Sequence, residues 1–517
     1  MKLKPTLLAL GAASALGAAS SAHAFAYFGP GASGVSGTQV RVQPNGIGHA
    51  LIMPYFNVQG DAEGGTETLF NISNSDSTNG KAVRLLIRSA ANGDHLLSLT
   101  VFLAPGDVWT AKIARGETGP VISSSDKSCV ATAAQPSASG IHQTIDGFEL
   151  AHYISYEAWV KHVSEGYIEF VNMADITGAT LEDVKNRNCT ALHDKLMADH
   201  NLVDGATAAD AGLSGSTGGI SGIWYLINHA NWTTYGGAMT AIRVEDDYGN
   251  NARGYIRFAP QSRTDIGGVT PGQWANQFSH CLYGWSPCAN EVDRKGLSAD
   301  VLGVATWDRV PDLSTPLIPA FDTPEKQVEA IADQMMRSAI VNDYVSDPNP
   351  TGAGAVPMLT DWVISHPLRR YYGAVDYGNS ADEAAIKYNE AISRRYSLTL
   401  VNSPDMGPVA CQGGGRSWAI SPAPPMEGGE FTIYDREGNR TDRGEMGIGQ
   451  NCGSVFTLGF AEKSPMHATV GRVVKTPPTA AGWMSWNIGA QPVIGFAAFS
   501  SRNLESKITY PVTWPHR

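Results

Sequence analysis

The chain has 517 residues, 43% of them hydrophobic and 17% charged, enough apolar content to fill the cores of about two or three domains. Its 49 acidic residues outnumber 37 Lys and Arg, giving a formal net charge of −12 that argues against nucleic acid as a partner. Solubility, divalent cations or an acidic surface array remain open to such a balance.

Met1-Lys2-Leu3-Lys4 gives a short basic start, an apolar stretch runs over residues 7–19, and Ala22-His23-Ala24 supplies a small-residue cleavage pattern. This is the grammar of a secretory signal, with residues 1–24 removed and the mature chain beginning at Phe25. The stretch is too short, and too diluted by Gly and Ser, for a membrane helix of about 20 apolar residues. No later window resembles a transmembrane span. The expected address is outside the inner membrane: periplasm, outer surface or medium. An outer-membrane barrel is the alternative, since its strands signal weakly.

From residue 48 onward short β-type runs follow one another, at 50–56, 66–72, 82–88, 96–103 and 108–113, separated by Gly, Asn, Asp, Ser and Pro clusters. Asn79-Gly80 and Asn92-Gly93 are hairpin dipeptides that tolerate positive φ. The expected fold is mainly β: antiparallel β-sandwich modules, Ig-like or jelly-roll-like, with a few inserted helices. The first module spans 25–260 with a helical insertion at 181–197. Residues 261–324, rich in Gly, Pro and Ser, read as a connecting segment. The second module, 325–517, opens with a helix: Thr323 caps, Pro324 fits the first turn, and Val328, Ile331, Ala332, Met335, Met336, Ala339 and Ile340 follow the 3.6-residue period. A further helix is expected over 381–394, then strands at 397–401, 430–434, 454–460, 468–474, 493–499 and 507–510.

The six cysteines are Cys129, Cys189, Cys281, Cys288, Cys411 and Cys452. An even number in an exported chain points to disulfides. Pairing of sequence neighbours, 129 with 189, 281 with 288 and 411 with 452, keeps each bridge inside one module. No C-x-x-C is present for redox or zinc-ribbon chemistry.

Three stretches carry a resemblance: KAVRLLIRSAANGDHLLSLTVFLAPGDVWTAKI (81–113), SEGYIEFVNMADI (164–176) and LTDWVISHPLRRYY (359–372). They resemble an uncharacterised group of exported proteobacterial cell-surface proteins. The resemblance implies an envelope or surface location and a β-rich fold, and it brings no catalytic residues with it. Read from the residues alone, Trp109 and Trp362 are apolar core anchors.

Strong catalytic motifs are missing: no H-E-x-x-H, no G-x-S-x-G and no phosphate loop. Ser124 and Lys127 share S-x-x-K spacing without its partner motifs. Residues 142–169 hold His142, Glu149, His152, Glu157, His162, Glu165 and Glu169, suitable types for a metal but in no recurring ligand spacing, and the ordinary reading is a solvated edge. Two acidic turns offer oxygens to calcium, Asp246 and Asp247 in EDDYGN and Asp435 and Glu437 in DREGN, although the Gly-Asn pair in each is also plain hairpin chemistry.

The leading function is an exported structural or interaction protein of the cell envelope, self-assembling at the surface, with no cofactor beyond a calcium ion at those turns. The alternative is a secreted carbohydrate-binding protein, or a glycoside hydrolase on a sandwich scaffold. The 12 Trp and 18 Tyr could supply stacking platforms, and hydrolysis would further need a carboxylate pair.

Overall fold

The computed structural model describes residues 35–259, 311–376 and 429–517 apart from 60–64, 92, 118, 133–135, 138–139, 146–159, 161–162, 198–204, 230–231, 322, 352–355, 446–452, 469–470 and 503–508; it also describes strand residues 26–28, 385–388, 396–401 and 417–422. The signal-type segment and Cys281, Cys288, Cys411 and Cys452 lie outside the described residues.

The chain is mainly β and antiparallel. Its first half gives β1 (Gln39–Gln43), β2 (Ala50–Asn57), β3 (Thr66–Asn74), β4 (Gly80–Ser89), β5 (His95–Leu103), β6 (Val108–Arg115), β7 (Pro120–Ser124), β8 (Glu165–Ile176), β9 (Ile220–Asn228), β10 (Thr233–Ala238) and β11 (Thr240–Glu245). One sheet of nine strands runs from Pro136–Ser137 and Val130–Ala131 through β5, β4, β8, β2, β11 and β1, with Leu213–Ser214 beside β8. A six-stranded sheet runs from Ile141–Thr144 through β7, β6, β3, β9 and β10. Alternation along β3 and β6 turns Phe70, Ile72, Trp109 and Ile113 inward. There Phe70 meets Phe170 of β8 edge-on at 5.6 Å and Trp109 at 6.0 Å. Pro54 sits inside the central strand β2, where the register with β8 shifts between Gly166 and Ile168. Such a bulge is where a residue without an N–H can stay in a ladder.

β2, β4 and β8 are buried along their whole length, because the outer face of the nine-stranded sheet is covered too. Helix α1 (Gly178–Lys185) and α2 (Cys189–Leu192), with the π-helical turn His193–Met197, lay Leu181, Val184, Leu192 and Leu196 against Ala82, Met173 and Ile176. The single helix expected over 181–197 is thus broken at 186–188, where Arg187 takes φ 55°. Cys129 and Cys189 form the expected disulfide, tying the start of α2 to the short strand Val130–Ala131.

The second half begins with α3 (Pro324–Met335), capped by the Thr323 hydroxyl, which accepts from the Lys326 N–H. The helix ends five residues early. From Met336 the chain is strand β12 (Met336–Val345), in which Ile340, Asn342 and Tyr344 turn inward with period 2, so Met336, Ala339 and Ile340 leave the helical stripe. Next come β13 (Met358–Ser365), β14 (Glu430–Asp435), β15 (Arg440–Glu445), β16 (Val455–Gly459), β17 (Ala481–Pro492), β18 (Ile494–Arg502) and β19 (Thr509–Pro515). The expected helix over 381–394 is also corrected: Ala385–Tyr388 is a strand paired with Gly373–Asp376. A four-stranded sheet, β12-β17-β14-β15, faces a five-stranded sheet, Arg472–Val474 then β16-β13-β18-β19. Tyr344, Trp362, Phe431, Phe456 and Trp486 fill the space between them.

The two sandwiches share one core. The outward face of the five-stranded sheet packs on the first sandwich, with Phe496 against Trp224 at 4.7 Å and Val363 and Ala498 in the same apolar cluster as Phe70 and Phe170. Residues 311–318, at the end of the expected connecting segment, are buried in this core as well. Beside the apolar contact lies a buried ionic cluster. Glu169 is fully buried, the Arg88 guanidinium lies 3.4 Å from it and 3.2 Å from Asp312, and the Tyr371 hydroxyl donates to Glu169 at 3.1 Å. Arg369 and Arg370 donate to the carbonyls of Ala91 and Gly93, and Tyr167 donates to that of Pro367. The solvated edge expected over 142–169 is thus reversed at Glu165 and Glu169, while Tyr167 and Ile168 turn inward as expected. Glu165 and Glu169 sit on a central strand, held by Tyr55 at 2.9 Å and by Arg88 and Tyr371 respectively.

Burial pushes the Glu169 carboxyl up to about 7, against the pull of Arg88. A carboxyl raised in the folded state binds more protons there than in the unfolded chain, so its contribution to stability is full near pH 4 and is lost as pH rises towards 7. Removing the arginine leaves a buried charge uncompensated: Arg88→Met should cost about 3–5 kcal/mol in equilibrium urea unfolding at pH 7. Glu169→Gln should flatten the slope of stability between pH 4.5 and 7 relative to the parent chain, measured by the same titration.

Candidate binding cleft

The two sheets of the second sandwich differ in width, and the difference opens a cleft. β19 lies one strand beyond β18 at the edge of the five-stranded sheet, past the edge strand β12 of the facing sheet. At one end this side is closed by the chain itself: Arg517 and Val341 exchange backbone hydrogen bonds of 3.1 Å, and the His516 ring packs on Trp362. At the other end a hollow of about 560 Å³ remains between Asp343–Val345 of β12 and Tyr510, Val512 and Trp514 of β19. Alternation puts these three β19 side chains on one face. They stay 62%, 42% and 46% exposed, among the most exposed large apolar groups of the described chain.

The cleft is aromatic and rigidly backed. Trp514 leans on Phe499 at 4.7 Å, and Trp483, stacked on Tyr434 at 3.8 Å with ring planes 9° apart, forms part of the rim. Tyr344 is anchored by a 2.6 Å hydrogen bond between its hydroxyl and Thr479. Polar groups on the wall are Asp343, Arg436, Ser500 and Ser501, and Asp343 is the one carboxylate among the described lining residues.

The outer edge of β19 is not free. It lies along β10, and the Thr513 hydroxyl donates to the Gly236 carbonyl. Ile223 and Tyr225, 39% and 41% exposed, line a smaller hollow of about 390 Å³ with Val512 and Thr513, so the apolar strip continues onto the first sandwich.

The acidic turns are now placed. Asp246 and Asp435 each cap their own hairpin in the same way. Oδ1 accepts from the N–H of the asparagine four residues on, at 2.9 Å for Asn250 and 2.7 Å for Asn439, and Oδ2 accepts from that asparagine's Nδ2. These bonds hold both carboxyls below the usual carboxylate range, the Asn250 N–H leading for Asp246 and the Asn439 side chain for Asp435. Asp247 and Glu437 are exposed beside them. No group of three or more His, Cys, Asp or Glu that could hold a metal ion occurs among the described residues. The second turn matters in another way, because it carries Arg436 to the cleft wall. His142 is exposed, while Glu149, His152, Glu157 and His162 lie outside the described residues.

Two further buried acids have structural partners. Lys81 reaches Asp76 and Asp175 at 2.8 Å each, and Asp361, raised to about 6 by burial, faces Arg472 at 3.4 Å and Ser464. No helix among the described residues is long and apolar enough to cross a membrane. Comparison with protein-family models, curated proteins and solved structures gives no match.

Two outcomes follow from these placements. Because amide donors already occupy the Asp246 and Asp435 oxygens, added calcium should leave the melting temperature unchanged relative to EDTA, read by calorimetry, while Asp435→Ala should lower it slightly. Replacing Cys129 and Cys189 by Ala releases a loop of sequence separation 60 and should cost about 4 kcal/mol in urea unfolding under non-reducing conditions.

Proposed function

We propose that this chain is an exported interaction protein of the cell envelope, working at the outer surface, in the medium or in the periplasm, and that it holds its partner in the cleft beside β19. The observation that carries this is the exposure of Tyr510, Val512 and Trp514 in a concave site. Large apolar groups left uncovered in a row are costly to solubility and mark contact surfaces. The signal grammar of residues 1–24 and the Cys129–Cys189 bridge support the address, since disulfides persist in oxidising compartments.

The strip from the cleft to Ile223 and Tyr225 supports a self-associating form of this reading, as it crosses both sandwiches. A hydrolytic form has less support, because a carboxylate pair is needed and the described lining offers Asp343 alone.

Fractionation of the producing cells tests the reading. The mature chain should begin at Phe25 and sit in the envelope or surface fraction, and Tyr510→Ala with Trp514→Ala should release it without lowering its melting temperature. A chain with residues 1–24 intact and free thiols in the cytosol, or a double variant retained like the parent, defeats it.

A further inference from the structure

We infer that the ligand of the cleft is a neutral oligosaccharide, lying along β19 across Tyr510 and Trp514; this rests on the binding role proposed above and names its chemistry. The two rings share one face of one strand, four residues apart, so they stand about 13 Å from each other. That is farther than one sugar ring spans, and the geometry calls for a chain of them. The C–H face of a pyranose is apolar and weakly positive, and it lies naturally on the negative face of an aromatic ring. Tyr510 is 62% and Trp514 46% exposed, and Trp514 packs on Phe499, so its ring is placed before a ligand arrives.

The wall supplies what sugar hydroxyls need. Asp343 accepts, Arg436 donates, and the Ser501 hydroxyl does either. Asp343 already faces the Arg517 guanidinium at 3.4 Å, which leaves Arg436 as the one guanidinium of the lining, too little positive charge to hold a uronic or sulfated chain. The Arg436 turn is pinned by the Asp435–Asn439 bonds, so its side chain starts from a fixed backbone.

A protein partner fits less well. The hollow, about 560 Å³, falls within the usual range for small-ligand sites, whereas a stable protein interface needs roughly 800 Å² from each side. Strand addition is also blocked here, because β10 lies along the outer edge of β19 and Arg517 pairs with β12.

The test uses the whole mature chain on an array of neutral oligosaccharides covering glucans, chito-oligosaccharides, mannans and galactans, followed by calorimetric titration of the best probe. The expected result is saturable binding of at least one probe, weakened tenfold or more by Trp514→Ala and by Tyr510→Ala, largely restored in Trp514→Phe, with the melting temperature unchanged. Failure of every neutral probe, or equal binding by the alanine variants, overturns the inference. Sedimentation velocity separates the two levels. Loss of envelope retention in the double variant without any sugar binding would leave the cleft as the contact and refute the ligand class, and a cleft-dependent dimer would make the occupant a second copy.

Discussion

The junction between the sandwiches depends on one charge buried away from bulk solvent. Arg88, on a strand buried along both faces, is held between Glu169 and Asp312, and Tyr371 from the second half completes the coordination of Glu169. In a low-dielectric interior an isolated charge is far more costly than a lost apolar contact, so these groups come together or not at all. The second sandwich thus supplies a hydroxyl that the first one needs. The stretches 81–113, 164–176 and 359–372 meet at this place: Arg88 from the first, Tyr167 and Glu169 from the second, Arg369, Arg370 and Tyr371 from the third.

A mainly antiparallel protein must deal with its sheet edges, which otherwise pair with other chains. Here β10 and β19 lie along each other, and the carboxyl-terminal residues cover part of β12. The cleft is the stretch of that side left uncovered. It is thus a by-product of unequal sheet widths, and the aromatic residues placed there give it the character of a site.

Much of the fold was legible as period-2 patterning. β2 to β6 were readable because Gly, Asn and Pro clusters separate runs whose apolar residues alternate or thicken. β8 was hidden for a physical reason: Glu165, Glu169 and Asp175 make its sequence look wet, and the partners that neutralise them are far away in the chain. The segment 336–340 was misread because Met336, Ala339 and Ile340 fit a helical stripe as a continuation of α3, and only pairing with β17 decides for strand. The pairing of Cys129 with Cys189 was a fair reading of proximity in one module. The cleft was only half legible. Tyr510, Val512 and Trp514 alternate openly, yet nothing local says that the facing sheet stops one strand short.

The contact of β10 with β19 also ties two distant parts of the chain into one protective device. Were β19 absent, β18 would become the edge of its sheet and β10 would lose the strand lying along it. The strand β18 would then present a bare row of amide and carbonyl groups, the kind of edge that pairs with other chains. The strand β19 therefore shields an edge as well as forming a wall of the cleft.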